Sequence, residues 1–133
     1  MSPESKKLLV VDDDPAMRES LEELLRNQGY RVLTAPDGEE GLRVVHDESP
    51  DLVILDVAMP GLDGFHVATL LKKDPTLKQI PIVLYSGSVG ESFALRAYEI
   101  QVDYFLPKTM NVRSILTAIR EVLETASAGR PPA

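Results

Sequence analysis

Asp56 ends the apolar run Leu52-Val53-Ile54-Leu55 and stands directly before the turn Val57-Ala58-Met59-Pro60-Gly61-Leu62-Asp63-Gly64. An unbroken apolar run of this kind suits a strand buried on both faces, as in a parallel sheet. The carboxylate then lies where the strand leaves the core. Asp12 and Asp13 follow Leu8-Leu9-Val10-Val11 in the same way, Ser86 follows Ile80 to Tyr85, and Lys108 follows Val102 to Pro107. Ligands of open α/β sheets gather at the carboxyl ends of the strands. The pattern therefore predicts three carboxylates, a hydroxyl and an ammonium at one edge.

Three carboxylates in one crevice repel each other unless a cation joins them. Oxygen donors with no His or Cys beside them favour a hard divalent ion, and few protein ligands with room for water suit Mg²⁺. Lys108 adds a mobile positive charge and Ser86 a hydrogen-bond donor. With backbone N–H groups of the loops after Asp56 and Ser86, they would stabilise the equatorial oxygens of a transferring phosphoryl group. Asp56 is then the candidate nucleophile, its acyl phosphate tolerated because metal and lysine offset the added charge.

The elements that must position these groups read as five strands alternating with five helices. After the first strand, Asp14 is a natural N-cap and Pro15 a good first helical residue. Met17, Leu21, Leu24 and Leu25 repeat at helical spacing, and the helix stops near Gln28-Gly29. Tyr30 to Ala35 is a second, more polar strand, suited to an edge. Asp37-Gly38-Glu39-Glu40 opens a second helix with negative charge at its N-terminus, favourable to the helix dipole, and Ser49-Pro50 closes it. After the third strand, Asp63-Gly64 starts a helix whose apolar part is Phe65, Ala68, Leu70 and Leu71, ending around Asp74-Pro75. The fourth strand ends in Ser86-Gly87-Ser88. Phe93, Ala94, Ala97 and Tyr98 mark a short fourth helix. Val102 to Leu106 is the fifth strand. Val112, Ile115, Leu116, Ile119, Val122 and Leu123 form the clearest stripe, that of the last helix. Residues 127–133 read as a frayed tail or the start of a linker. Strands so separated pair in parallel through right-handed crossovers, giving a three-layer α/β sandwich.

Composition sets the outer bounds. A chain of 133 residues supports one domain with a hydrophobic core. With 44% hydrophobic and 26% charged residues it reads as a soluble globular protein rather than a disordered one. A formal net charge of -7 is repelled by nucleic acid and by anionic lipid, so direct binding to either is not expected. There is no Cys, hence neither a disulfide framework nor a thiolate metal site. No apolar run approaches the roughly 18 residues of a membrane span. The stretch Met1-Ser2-Pro3-Glu4-Ser5-Lys6-Lys7 lacks the apolar core of a signal peptide, and a cytoplasmic protein is the expectation.

Four motifs in order resemble those of response-regulator receiver domains, the CheY-like family of two-component signalling. They are Val10-Val11-Asp12-Asp13-Asp14-Pro15, Leu55-Asp56 with Met59-Pro60-Gly61-Leu62-Asp63-Gly64, Ser86-Gly87, and Phe105-Leu106-Pro107-Lys108. The resemblance runs from about Lys7 to about Leu123. It implies a doubly wound, flavodoxin-like five-stranded parallel sheet of order 2-1-3-4-5 flanked by five helices. It divides the chain into an N-terminal tail over 1–6, a receiver domain over 7–125, and a C-terminal tail or linker start over 126–133. It implies phosphorylation of Asp56 by the phosphohistidine of a sensor histidine kinase or phosphotransfer protein. Asp13 and Asp56 would ligate Mg²⁺ directly, Asp12 through a bound water, and the Ala58 carbonyl would complete the protein ligands. Lys108 would pair with the carboxylate and then with the phosphoryl group. Ser86 takes the place of the switching Thr/Ser hydroxyl and Phe105 that of the switching aromatic. A downstream protein partner would bind the face of the fourth helix, fifth strand and fifth helix. The chain would be a signalling switch rather than an enzyme, catalysing only its own phosphotransfer and slow autodephosphorylation.

Thr109 departs from the family, which usually carries a cis-proline after the lysine. A cis bond at a non-proline costs about 3 kcal/mol, so a trans bond is expected at Lys108-Thr109, with another path for the loop. That departure supports a second reading, a phosphorylation-independent pseudo-receiver that acts as a protein-interaction module. A phosphatase with an aspartyl nucleophile is the third; such enzymes usually place a second acid two residues after the nucleophile, where Ala58 stands. Asp14 reads as a cap alone. His46 and His66 have no partner cluster and read as surface or structural residues.

Overall fold

The computed structural model describes residues 6–87 and 91–127. The expected tail over 1–6 lies outside them but for Lys6; of the expected C-terminal tail over 126–133, residues 126 and 127 belong to the last helix and 128–133 lie outside the described residues. The elements alternate as β1 (Lys7–Val11), α1 (Pro15–Asn27), β2 (Arg31–Ala35), α2 (Gly38–Glu48), β3 (Leu52–Asp56), α3 (Gly64–Lys73), β4 (Ile82–Ser86), α4 (Glu91–Ile100), β5 (Tyr104–Pro107) and α5 (Val112–Ser127). The strands form one parallel sheet in the order β2-β1-β3-β4-β5. The more polar second strand is an edge, as its composition implies.

Side chains alternate across a strand, so each strand feeds both faces of the sheet. Leu9, Val11, Val53, Leu55, Ile82 and Leu84 pack with Val45 of α2, with Phe65, Val67, Ala68 and Leu71 of α3, and with Ala97 of α4. Leu8, Val10, Leu52, Ile54, Val83, Tyr85 and Leu106 pack on the other face with Leu21 and Leu25 of α1 and with Ala118, Ile119, Val122 and Leu123 of α5. Two cores therefore share one sheet. β3 and β4 are buried along their whole length, which is why they carry the unbroken apolar runs.

The helix starts next to the site are fixed by side-chain caps. Asp14 Oδ1 accepts a hydrogen bond from the Ala16 amide at 3.0 Å, with Pro15 in the first turn. Asp37 caps α2 through the Glu40 amide at 2.8 Å, and Asp63 caps α3 through the His66 amide at 2.9 Å.

Four apolar residues expected on buried stripes face solvent instead. Leu70 of α3 is 48% exposed, Tyr98 of α4 79% and Val112 of α5 55%. Ala94 is exposed as well. Leu70 lies five positions from Phe65, about 140° around the helix, whereas Val67, Ala68 and Leu71 close the stripe. Tyr98 follows the buried Ala97 by one position, about 100° around. Val112 is in phase with its stripe, but it is the first residue of the helix and has a packing turn on one side only. β4 and β5 each begin two residues later than the pattern implies, and β5 runs on through Pro107.

Candidate functional site

Parallel register brings the strand ends level. Val11 pairs with Leu55, one residue before Asp12 and Asp56; Asp56 pairs with Tyr85, and Ser86 with Pro107. The alternation that buries Val10, Ile54, Val83 and Leu106 on the α1–α5 side continues into Asp12, Asp56, Tyr85 and Lys108. Those four residues thus emerge on one side of one edge, a direct consequence of the pleat.

Asp12, Asp13 and Asp56 each offer a carboxylate oxygen, all within 4.8 Å of one another. Asp12 and Asp56 are buried and Asp13 is exposed. Lys108 Nζ lies 3.1 Å from Asp56 Oδ1, and the Ala58 amide reaches the same oxygen at 3.3 Å. Asp12 Oδ1 accepts the Asp14 amide at 2.9 Å, and the Asp12 carbonyl accepts Arg18 at 2.7 Å, which ties the start of α1 to the end of β1. The donor set is oxygen only, partly open at Asp13 and rich in negative charge. Such a set fits a hard divalent cation with water in its remaining positions.

The Asp56 carboxyl is pushed up to about 6. Burial is the main cause; the Lys108 hydrogen bond opposes it, and the negative charge and hydrogen bond of Asp12 add to it. One lysine therefore does not offset the cost of a buried acid beside another acid. The site favours a further positive charge.

The loop after β5 keeps Lys108 in place despite Thr109. The described residues contain no cis peptide bond, so Lys108-Thr109 is trans as expected. The Lys108 amide donates to the Ser86 carbonyl at 2.8 Å, continuing the β4–β5 ladder one step past the strand. The backbone route therefore reaches the site without a cis bond.

Ser86 and Phe105 take the opposite phase of their strands, toward the other face of the sheet. Ser86 is buried and follows Ile82 and Leu84 toward the α2–α4 side, beside a cleft of about 450 Å³ lined also by Ala58, Met59, Phe93 and Arg96. Phe105 packs half-buried against the same core. Phe65 and Phe93 stack there at 5.7 Å between ring centroids, and the Arg96 guanidinium lies 4.4 Å over the Phe65 ring. Asp14 serves as a cap, and His46 and His66 are exposed.

Tyr85 is the site residue that the sequence pattern did not single out. Its buried hydroxyl donates to Asp12 Oδ2, and the Lys108 ammonium lies 4.9 Å over its ring. Burial first, and then the Asp12 bond and charge, push its phenol above the ordinary value. Strand parity was the available signal, since Tyr85 shares the phase of Val83 on the face where Asp56 emerges.

Residues 8–120 match the family model for the response regulator receiver domain. The transcriptional regulatory protein AfsQ1 of Streptomyces coelicolor is 37% identical over 116 residues, covering 87% of this chain and 50% of AfsQ1. The chain thus spans about half the length of that relative. The chemotaxis protein CheY4 of Vibrio cholerae superposes with a TM-score of 0.83 at 27% identity, over 88% of this chain and 98% of that one. A CheY-like receiver domain protein from Methanospirillum hungatei JF-1 gives a TM-score of 0.87 at 25% identity, over 92% and 97%. Among the described residues no helix is long and apolar enough to cross a membrane. By family model, sequence relatives and fold, this chain belongs to the response-regulator receiver domains of two-component systems.

Proposed function

We propose that the chain is a phosphorylation switch in which Asp56 accepts a phosphoryl group from the phosphohistidine of a sensor histidine kinase or phosphotransfer protein. The observation that carries this reading is the setting of Asp56: buried, 3.1 Å from the Lys108 ammonium and grouped with the oxygens of Asp12 and Asp13. Asp13 and Asp56 would hold Mg²⁺ directly, Asp12 through water and Ala58 by its carbonyl; the bound ion would neutralise charge on the phosphoryl oxygens. An Asp56 carboxylate oxygen attacks phosphorus and the P–N bond of the phosphohistidine breaks. The imidazole leaves with the bonding pair and takes up a proton. Lys108 then exchanges a carboxylate oxygen for a phosphoryl oxygen.

Ser86 would donate its hydroxyl to the phosphoryl group, and Phe105, on the next strand, would follow by repacking. The readout surface in this reading is the α4–β5–α5 face, where Leu95, Tyr98, Tyr104 and Val112 are exposed. Exposed apolar residues grouped in this way mark protein-interaction surfaces. The partner is thus a protein, and the domain turns over no separate substrate beyond its own phosphorylation and slow dephosphorylation.

Incubation with a small phosphodonor and Mg²⁺, followed by intact mass, tests the reading. One phosphoryl group is expected on the wild type and none on Asp56→Asn. An unlabelled wild type, with a known receiver labelled in parallel, overturns it.

A further inference from the structure

Tyr85 touches two of the charged neighbours of Asp56, Asp12 and Lys108. Its hydroxyl donates to Asp12 Oδ2 from the β4 side, and its ring lies under the Lys108 ammonium at 4.9 Å. The remaining Asp12 oxygen, Oδ1, is held by the Asp14 amide at 2.9 Å. Each Asp12 oxygen therefore has one protein donor that fixes its direction, and each keeps lone pairs free for water or a cation. Among the described residues the Lys108 ammonium meets the Asp56 oxygen at 3.1 Å, and its flexible stem has many other rotamers. An aromatic face beneath an ammonium narrows that choice by electrostatic attraction. An aliphatic residue at this position would leave both groups without these contacts.

We propose that Tyr85 is a positioning residue of the acidic site, orienting Asp12 for the divalent cation through its hydroxyl and seating Lys108 against Asp56 through its ring. This rests on the phosphorylation reading above and adds a residue to it. The two contacts come from different parts of one side chain, so two substitutions separate them. Tyr85→Phe removes the hydroxyl and keeps the ring. Tyr85→Leu removes both.

Loss of a hydrogen bond behind a metal-binding carboxylate typically weakens metal affinity about 10-fold or more. Calorimetric titration with Mg²⁺ alone should show that loss in Tyr85→Phe. At saturating Mg²⁺, labelling by a small phosphodonor should proceed at the wild-type rate in Tyr85→Phe and several-fold more slowly in Tyr85→Leu. A merely structural role would move both variants together and would not separate Mg²⁺ affinity from the saturated rate. An independent spectroscopic signature exists in the metal-free protein. The Tyr85 hydroxyl proton should appear at low field in the proton NMR spectrum, in slow exchange with water, and vanish in Tyr85→Phe.

Wild-type Mg²⁺ affinity in Tyr85→Phe, or an unchanged saturated rate in Tyr85→Leu, overturns the proposal while the phosphorylation reading stands. A wild type that neither binds Mg²⁺ nor takes up a phosphoryl group overturns that reading, and the role of Tyr85 with it. Absence of the hydroxyl proton from the wild-type spectrum removes the Asp12 contact on which the inference is built.

Discussion

Asp56 is the residue at which stability and chemistry pull in opposite directions. Its carboxyl titrates at about 6 in the folded protein, against about 3.9 for an unperturbed aspartate. The folded state therefore binds an extra proton between those values, and stability falls as pH rises through that window. The loss reaches up to about 3 kcal/mol and is complete above the folded value. Asp56→Asn, neutral and nearly isosteric, should abolish this slope and raise metal-free stability at pH 7.5. Denaturant unfolding in chelator at pH 5 and pH 7.5 checks it; an unchanged slope in the variant would locate the titration elsewhere. The members of this site were legible in the sequence because each charged residue closes an apolar run. Tyr85 was not, because an aromatic residue at the end of a buried strand also fits a core position. Its hydroxyl partner lies 73 positions away in the chain, at the end of a strand separated from β4 by β3.

At the scale of elements, the site depends on how closely α3 starts against the end of β3. The Gly64 amide bonds the Val57 carbonyl at 3.0 Å. A Cβ at Gly64 would stand 2.4 Å from the Asp56 carbonyl oxygen and 2.9 Å from Val57 Cα, both backbone atoms. Gly61, three residues earlier, has φ of 75° and open space around it. The two glycines therefore serve different ends, one for close approach and one for turn conformation. Gly64→Ala should destabilise by about 3 kcal/mol or more and displace Asp56, whereas Gly61→Ala should cost only about 1–2 kcal/mol. Unfolding of the two variants, together with their Mg²⁺ affinities, checks the contrast; equal costs would mean that the approach of α3 is not limiting. The element order, the caps and the edge strand could be read from the chain, since Pro, Gly and Asp punctuate it at each boundary. The outward turn of Leu70 and Tyr98 could not, because the apolar residues of these helices span more than one face and hydropathy does not say which face the sheet takes. The face is fixed by the residues that reach the core, Ala68 and Leu71 in one helix and Ala97 in the other.

For the whole molecule, two packed cores on one sheet hold an edge at which acids repel, inside a chain whose net charge is already -7. A cation bound only by the folded edge must stabilise the fold by mass action, by about 2.7 kcal/mol at a concentration 100 times its dissociation constant. For a domain of this size that corresponds to a rise in melting temperature of roughly 10 °C. The generic effect of salt on a net-negative protein differs in origin, since it screens all charges and does not need the three aspartates in register. Mg²⁺ at pH 7.5 should therefore raise the melting temperature well above NaCl of equal ionic strength. The excess should shrink at pH 5, where Asp56 holds a proton, and shrink in Asp12→Asn and Asp56→Asn at either pH. Differential scanning calorimetry of the three proteins in matched salts measures it. If NaCl matches Mg²⁺ in the wild type, or both variants keep the full excess, the strand ends do not form a cation site, and the repulsion at the edge is met by screening alone.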